Sequence, residues 1–201
     1  MGVSIVLSQR NKGPSSSTKN ILFRSIKIFS LGVFLGCFGE FMYHVVGLGE
    51  SFGLSDIRIP GVFQRIALVY LSCAILYNHS SWFQQLIFML FLLVGYYVVM
   101  VFVPVPGIGP GVLEPGKNLA AYIDSILIPG TMWQGTWDPE GILSTFPAIA
   151  TGISGMMAGH LIISKLKAEK IVIWMFVVGV FCLLDLSLIH ISEPTRRYAI
   201  S

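Results

Sequence analysis

Long apolar runs separated by polar connections set the pattern of this chain. Residues 25–46, 59–77, 82–103 and 142–163 form four such runs, and a fifth begins at residue 171 and is still apolar at residue 184. A helix needs about 20 residues to cross the roughly 30 Å hydrocarbon layer of a bilayer. Only helices and closed barrels satisfy their own backbone hydrogen bonds in lipid. The pattern therefore predicts an all-α chain, a polytopic transmembrane helix bundle of about five spans with a long outer-face loop. The opening MGVSIVLS is apolar but too short to span, and it predicts the last turns of a helix that begins upstream. It has neither the charged start nor the small-residue cleavage site of a signal peptide.

Composition agrees with a lipid environment. Of 201 residues, 54% are hydrophobic and 11% are Asp, Glu, Lys or Arg. The mean hydropathy is +0.77. A soluble domain carries about 25% charged residues, so a chain this poor in charge expects the lipid bilayer as its main partner. The net charge of +3 is small, and no basic tract or aromatic-interleaved patch points to nucleic acid. Cys37, Cys73 and Cys182 all lie inside apolar runs, without disulfide or zinc spacing. His79 and His160 fall on different helices near the inner face, so no metal is expected.

Charge then orients the bundle, because basic residues gather on the cytoplasmic side. Residues 9–27 carry Arg10, Lys12, Lys19, Arg24 and Lys27, and residues 165–170 carry Lys165, Lys167 and Lys170. The short turn 78–81 joins that side by parity. The opposite connections hold only Arg58 and Lys117, against Glu50, Asp56, Glu114, Asp124, Asp138 and Glu140. Residues 9–27 and 165–170 are thus expected in the cytoplasm, and 47–58 and 104–141 outside it.

The connection 104–141 is far longer than an ordinary helix–helix loop, and such loops tend to be functional. Its apolar residues, Tyr122, Ile123, Ile126, Leu127, Ile128, Met132, Trp133 and Trp137 among them, predict a folded cap over the bundle's outer mouth. Residues 120–128 predict a short interfacial helix, with Trp133 and Trp137 at headgroup level. The glycines of PVPGIGPG predict tight turns; a phosphate loop would need a preceding strand and a following GK[ST] helix. GISGMMAG at 152–159 lacks the G-x-S-x-G elbow and predicts close helix packing.

Charges within the spans are costly and face a bundle interior or a water-filled cavity. Arg65 lies six residues past Ile59, and Glu40 six residues before Val46, so both fall about 9 Å below the outer end. At equal depth they are expected to pair. His44 follows Glu40 by four positions and shares its face. Pro60 suits a first helical turn. The outer ends thus gather Glu40, His44, Arg58, Gln64 and Arg65, and WDPEG adds Asp138 and Glu140 above the next helix. Taken singly these are helix caps and an ion pair; as a cluster under a cap they predict a site.

Several of these motifs resemble a known family. RIPGVFQRIALVY (58–70), PVPGIGPG (104–111), NLAAYID (118–124) and WDPEGILSTFPAIATGISGMMAG (137–159) look like those of heparan-α-glucosaminide N-acetyltransferases, the bacterial relatives in particular. The resemblance implies a larger multi-helix enzyme of the bacterial inner membrane. It would move an acetyl group from acetyl-CoA, as co-substrate, to the amino group of an amino-sugar acceptor on the extracytoplasmic side, without a metal. A homo-oligomer is compatible with it. The family's catalytic histidine lies ahead of the segment matching MGVSIVLS, so no catalytic residue is assigned here. His44 does not correspond to that histidine, and the polypeptide as it stands is expected to be inactive. Arg58, Gln64, Arg65, Asp138 and Glu140 fall on family motif positions without assigned roles, and Glu40 and His44 complete the set of substrate- or cofactor-site candidates. In the complete enzyme a histidine would act as base or acetyl-carrying nucleophile, and Arg58 or Arg65 would steady the oxyanion.

Two further readings accompany the resemblance. Intramembrane Arg and Glu also suit a transporter or flippase of sugar-linked substrates, although no inverted repeat is evident. Residues 186–196 resemble the translation of a transposon-based sequencing adapter. Residues 1–185 are therefore read as a partial transmembrane acyltransferase domain and 186–201 as an artefactual tail, whose His190, Glu193, Arg196 and Arg197 are given no role.

Overall fold

A computed structural model describes residues 1–12, 18–46, 58–128, 130, 132, 135 and 137–197, with side chains described in these ranges except at 11, 12, 40, 43 and 185–197. The described chain is helical: α1 Gly2–Lys12, α2 Thr18–Val45, α3 Val62–His79, α4 Trp82–Phe102, α5 Leu119–Leu127, α6 Thr145–Ile162 and α7 Ala168–Arg197. The four complete apolar runs correspond to α2, α3, α4 and α6, with ends shifted by three residues or fewer except at the start of α2, which lies seven residues earlier. Among the described residues, two helices are long and apolar enough to cross a membrane, over Thr18–Gly39 and Trp82–Phe102. At 18 residues each, α3 and α6 rise about 27 Å. Gln64, Arg65, Asn78 and His79 lower the hydropathy of α3, and glycine, serine and threonine dilute α6.

The chain divides into two compact units, residues 1–159 and 160–201. In the first, small residues let helices approach. A Cβ on Gly32 of α2 would meet Gln64 Oε1 at 2.6 Å and Phe63 Cβ at 2.7 Å on α3. Ser25 Oγ reinforces that seam by donating to Ala67 O at 2.9 Å. A Cβ on Gly152 of α6 would meet Cys73 Sγ at 2.6 Å on α3, and one on Gly159 would meet Val6 of α1 at 2.9 Å. GISGMMAG is thus a packing stripe, as its small residues suggested. Cys73 is buried, Cys37 half-buried and Cys182 exposed, and all three are free thiols.

α4 opens with a capping box in which Ser81 and Gln84 exchange hydrogen bonds. Phe88, Leu90, Phe91, Leu93, Val94 and Tyr97 stand exposed along it, a surface that water would not tolerate over such a length.

Beyond α4 the chain folds as a cap. Val105 and Gly109 exchange backbone hydrogen bonds of 3.0 and 2.9 Å around a tight turn. Gly109, at φ 105°, takes a conformation that L side chains rarely adopt. Asn118 caps α5 by accepting from Ala121 N at 2.9 Å. Leu119 then packs with Val105 and Met100, and Tyr96, Ile123 and Leu143 close around them. The short helix expected over 120–128 is therefore present one residue earlier, seated on the C-terminal end of α4. Trp137 is half-buried, while Trp133 lies outside the described residues.

In the second unit α7 continues to Arg197, beyond the end of the apolar run at Leu184. The helix thus runs on through the polar residues after the apolar run, because helix propagation adds backbone hydrogen bonds that polar as well as apolar residues can make.

Candidate functional site

The residues just before α3 are extended, and Gly61 begins the helix with no side-chain cap. Arg58 therefore projects from the mouth of α3 rather than along it. Its target is the turn before α6. Arg58 Nε donates to Asp138 Oδ2 at 2.7 Å and Nη2 to Oδ1 at 2.6 Å, a bidentate fork. Nη2 also donates to Glu140 Oε2. The Asp138 side chain is fully buried and that of Arg58 is 24% exposed. Asp138 holds the turn locally as well, because its Oδ1 accepts from Glu140 N at 2.9 Å. Hydrogen bonding to Asp138, opposed by burial and helped by the charges of both acids, holds the Arg58 guanidinium above its ordinary value.

Arg65 reaches the same turn from one helical turn deeper. Its Nη1 donates to Pro139 O at 3.0 Å and its Nη2 to Ser144 O at 2.9 Å. Ser144 Oγ closes the loop by donating to Pro139 O and Gly141 O, both at 2.9 Å. The two arginines thus differ in kind. Arg58 meets two carboxylates, whereas the partners of Arg65 among the described residues are neutral backbone carbonyls. Arg65 also lines a cavity of about 300 Å³ with Val69, Thr151, Gly152 and Gly155.

The other candidates divide. Gln64 is buried in the α2–α3 seam, against Gly32 and Gly61. His44 is exposed in the last turn of α2 and takes no part in this network among the described residues. The Glu40 side chain, and with it the expected Glu40–Arg65 pair, lies outside the described residues.

Asp124 is a residue the candidate set lacked. It is 1% exposed on α5, and its Oδ1 accepts from Ile142 N at 2.9 Å. A Cβ on Gly141 would collide with its carboxylate, so glycine is required there. Burial pushes the Asp124 carboxyl above the usual carboxylate range, the Ile142 N–H pulls it back, and the charge of Asp138 adds to the rise. The signal was legible: an acid three residues after Ala121 and four after Ala120 falls on the apolar stripe of the helix.

Residues 138–144 are therefore a turn tied at three points, by Arg58 ahead of α3, by Arg65 on α3 and by Asp124 on α5. Chemically it offers buried carboxylates beside a cation that can face a developing negative charge. The described residues thus define a helical protein of membrane type, with two helices fit to span a bilayer and this knot at one set of helix ends. No protein-family model matches the chain. It is nonetheless a distant relative of heparan-alpha-glucosaminide N-acetyltransferase: 26% identical to the Homo sapiens protein over 96% of this chain, and 25% to the Mus musculus protein over 98%. The chain spans 36% of the length of either relative. The resemblance carried by the motifs holds as that distant relationship.

Proposed function

We propose that this chain is part of a membrane-bound acetyltransferase that moves an acetyl group from acetyl-CoA to the amino group of an amino sugar on the extracytoplasmic side. The observation that carries the reading is Arg65, a cation seated on neutral carbonyls at the edge of a cavity, in a distant relative of N-acetyltransferases. In that role the Arg65 guanidinium would steady the carbonyl oxygen of the acyl group as negative charge develops, while Arg58, Asp138 and Glu140 hold the turn that positions it. The reading includes about five spans in a bacterial inner membrane, with residues 9–27 and 165–170 cytoplasmic and 104–141 outside.

The test is retention of radiolabelled acetyl-CoA by washed membranes that contain the chain. Retention should exceed that of control membranes and fall about tenfold or more in Arg65→Gln, with the variant present at wild-type level. Retention no greater than in control membranes would sink the proposal. Uptake of labelled amino sugar without acetyl-CoA retention would support a transporter instead.

A further inference from the structure

The cap helix α5 is seated in two different ways. Its first half is held by apolar packing of Leu119 on Val105 and Met100. Its second half is held through Asp124, after which Ile126 and Leu127 stand exposed. Among the described residues a single donor meets the Asp124 carboxylate, Ile142 N at 2.9 Å from Oδ1. The other oxygen, Oδ2, lies against Gly141 with no room for a Cβ between them. A carboxylate that accepts two or three N–H bonds holds its charge readily. With one such bond and almost no water, the neutral acid is favoured.

The groups around Asp124 do not reverse that preference. On the turn stands Asp138, whose charge opposes a second one nearby although Arg58 pairs it. Glu140 of the same turn is bound by Arg58 as well. On α4, Tyr96 is within electrostatic reach of both Asp124 and Arg65. Ahead of α5, Lys117 pairs with Glu114 in the open. No cation bonds Asp124 among the described residues.

We propose that Asp124 is a proton-operated latch between the cap and the turn that seats Arg65. With the carboxyl neutral, its carbonyl oxygen accepts from Ile142 N and the turn stays docked on α5. Loss of the proton puts a charge where one donor meets it, and that charge gains water only when the turn parts from α5. Pro139 O and Ser144 O, which hold Arg65, lie on this turn, so release unseats the guanidinium. Docking is strongest below the pKa of the released carboxyl, near 4. It weakens by up to about tenfold per pH unit until the latched carboxyl has also ionised. The consequence at Arg65 rests on the acetyltransferase reading, whereas the latch itself does not.

The experiment follows amide exchange of the full chain in phosphatidylcholine nanodiscs by NMR, from about pH 4 to pH 8, corrected for the intrinsic rate. Protection of the Ile142 N–H should fall as pH rises, with a slope of up to about tenfold per pH unit. Ala121 N, bonded at the same 2.9 Å to the neutral side chain of Asn118, should stay level. In Asp124→Asn the Ile142 N–H should stay level too. A level Ile142 in the wild-type chain, a parallel fall at Ala121, or the same fall in Asp124→Asn overturns the latch. Comparison of the two amides within the wild-type chain decides the matter even if the variant fails to fold. Washed membranes with radiolabelled acetyl-CoA test the consequence. Retention should fall over the same range in the wild-type chain and stay level in Asp124→Asn, and the same profile in both overturns control of Arg65 by the latch. Membranes that retain no acetyl-CoA sink the acetyltransferase reading alone, and exchange at Ile142 still decides the latch.

Discussion

Asp138 is fully buried and accepts from both edge nitrogens of Arg58. Breaking a buried pair from one side leaves an uncompensated charge, which costs about 3–5 kcal/mol. Arg58→Gln is expected to destabilise the protein near the lower end of that range, because the guanidinium keeps some contact with solvent. Denaturant unfolding in detergent checks this, and a loss below about 1 kcal/mol, the size of a surface pair, would show that the fork is incidental. Asp124 makes a prediction about pH. Its folded carboxyl lies above the ordinary range because it is buried, so the folded chain holds that proton more tightly than the unfolded one. Its contribution is full below the unfolded pKa, near 4, and is lost as pH rises through the folded value. Asp124→Asn, which keeps an acceptor for Ile142 N, should match wild type near pH 4 and be the more stable protein at neutral pH. Thermal unfolding across that range reads the gap, and a gap that widens toward acid would contradict the assignment.

At the scale of elements, helix contacts rest on small residues. Gly152 has Cys73 Sγ and Val69 Cγ1 within 2.8 Å of where a Cβ would sit. Gly152→Leu should therefore push α3 from α6 and cost about 1–3 kcal/mol, as overpacking does. Gly95 on α4 has nothing within 4 Å of its Cβ position, so Gly95→Ala should stabilise by up to about 1 kcal/mol through helix propensity. Unfolding of the two variants side by side tests the contrast, and equal effects would mean that the seam yields. Where the elements lie was largely readable, since α2, α3, α4 and α6 follow apolar runs that burial in lipid or protein requires. The end of α7 was not, because the backbone hydrogen bonds that extend a helix leave no mark in hydrophobicity.

For the molecule as a whole, the proposed orientation rests on the sorting of basic residues. Single cysteines placed at Lys117 and at Lys167, after replacement of Cys37, Cys73 and Cys182, test it with an impermeant maleimide. Intact cells should label position 117 and leave 167 unlabelled until the membrane is opened. Labelling of 167 in intact cells would reverse the bundle.

Hydrophobic period and charge asymmetry determined by themselves that the chain is helical, where its main helices lie and which loop is folded, because each is a local consequence of composition. Arg58, Arg65, Asp138 and Glu140 could likewise be singled out as charges near helix ends. Which charge meets which was decided by tertiary structure alone. Arg58 and Asp138 are 80 residues apart in sequence, and no periodicity encodes a contact across that distance. The same fold gives the two arginines different partners among the described residues, carboxylates for Arg58 and backbone carbonyls for Arg65, because the packing of the helices fixes what each polar group can reach.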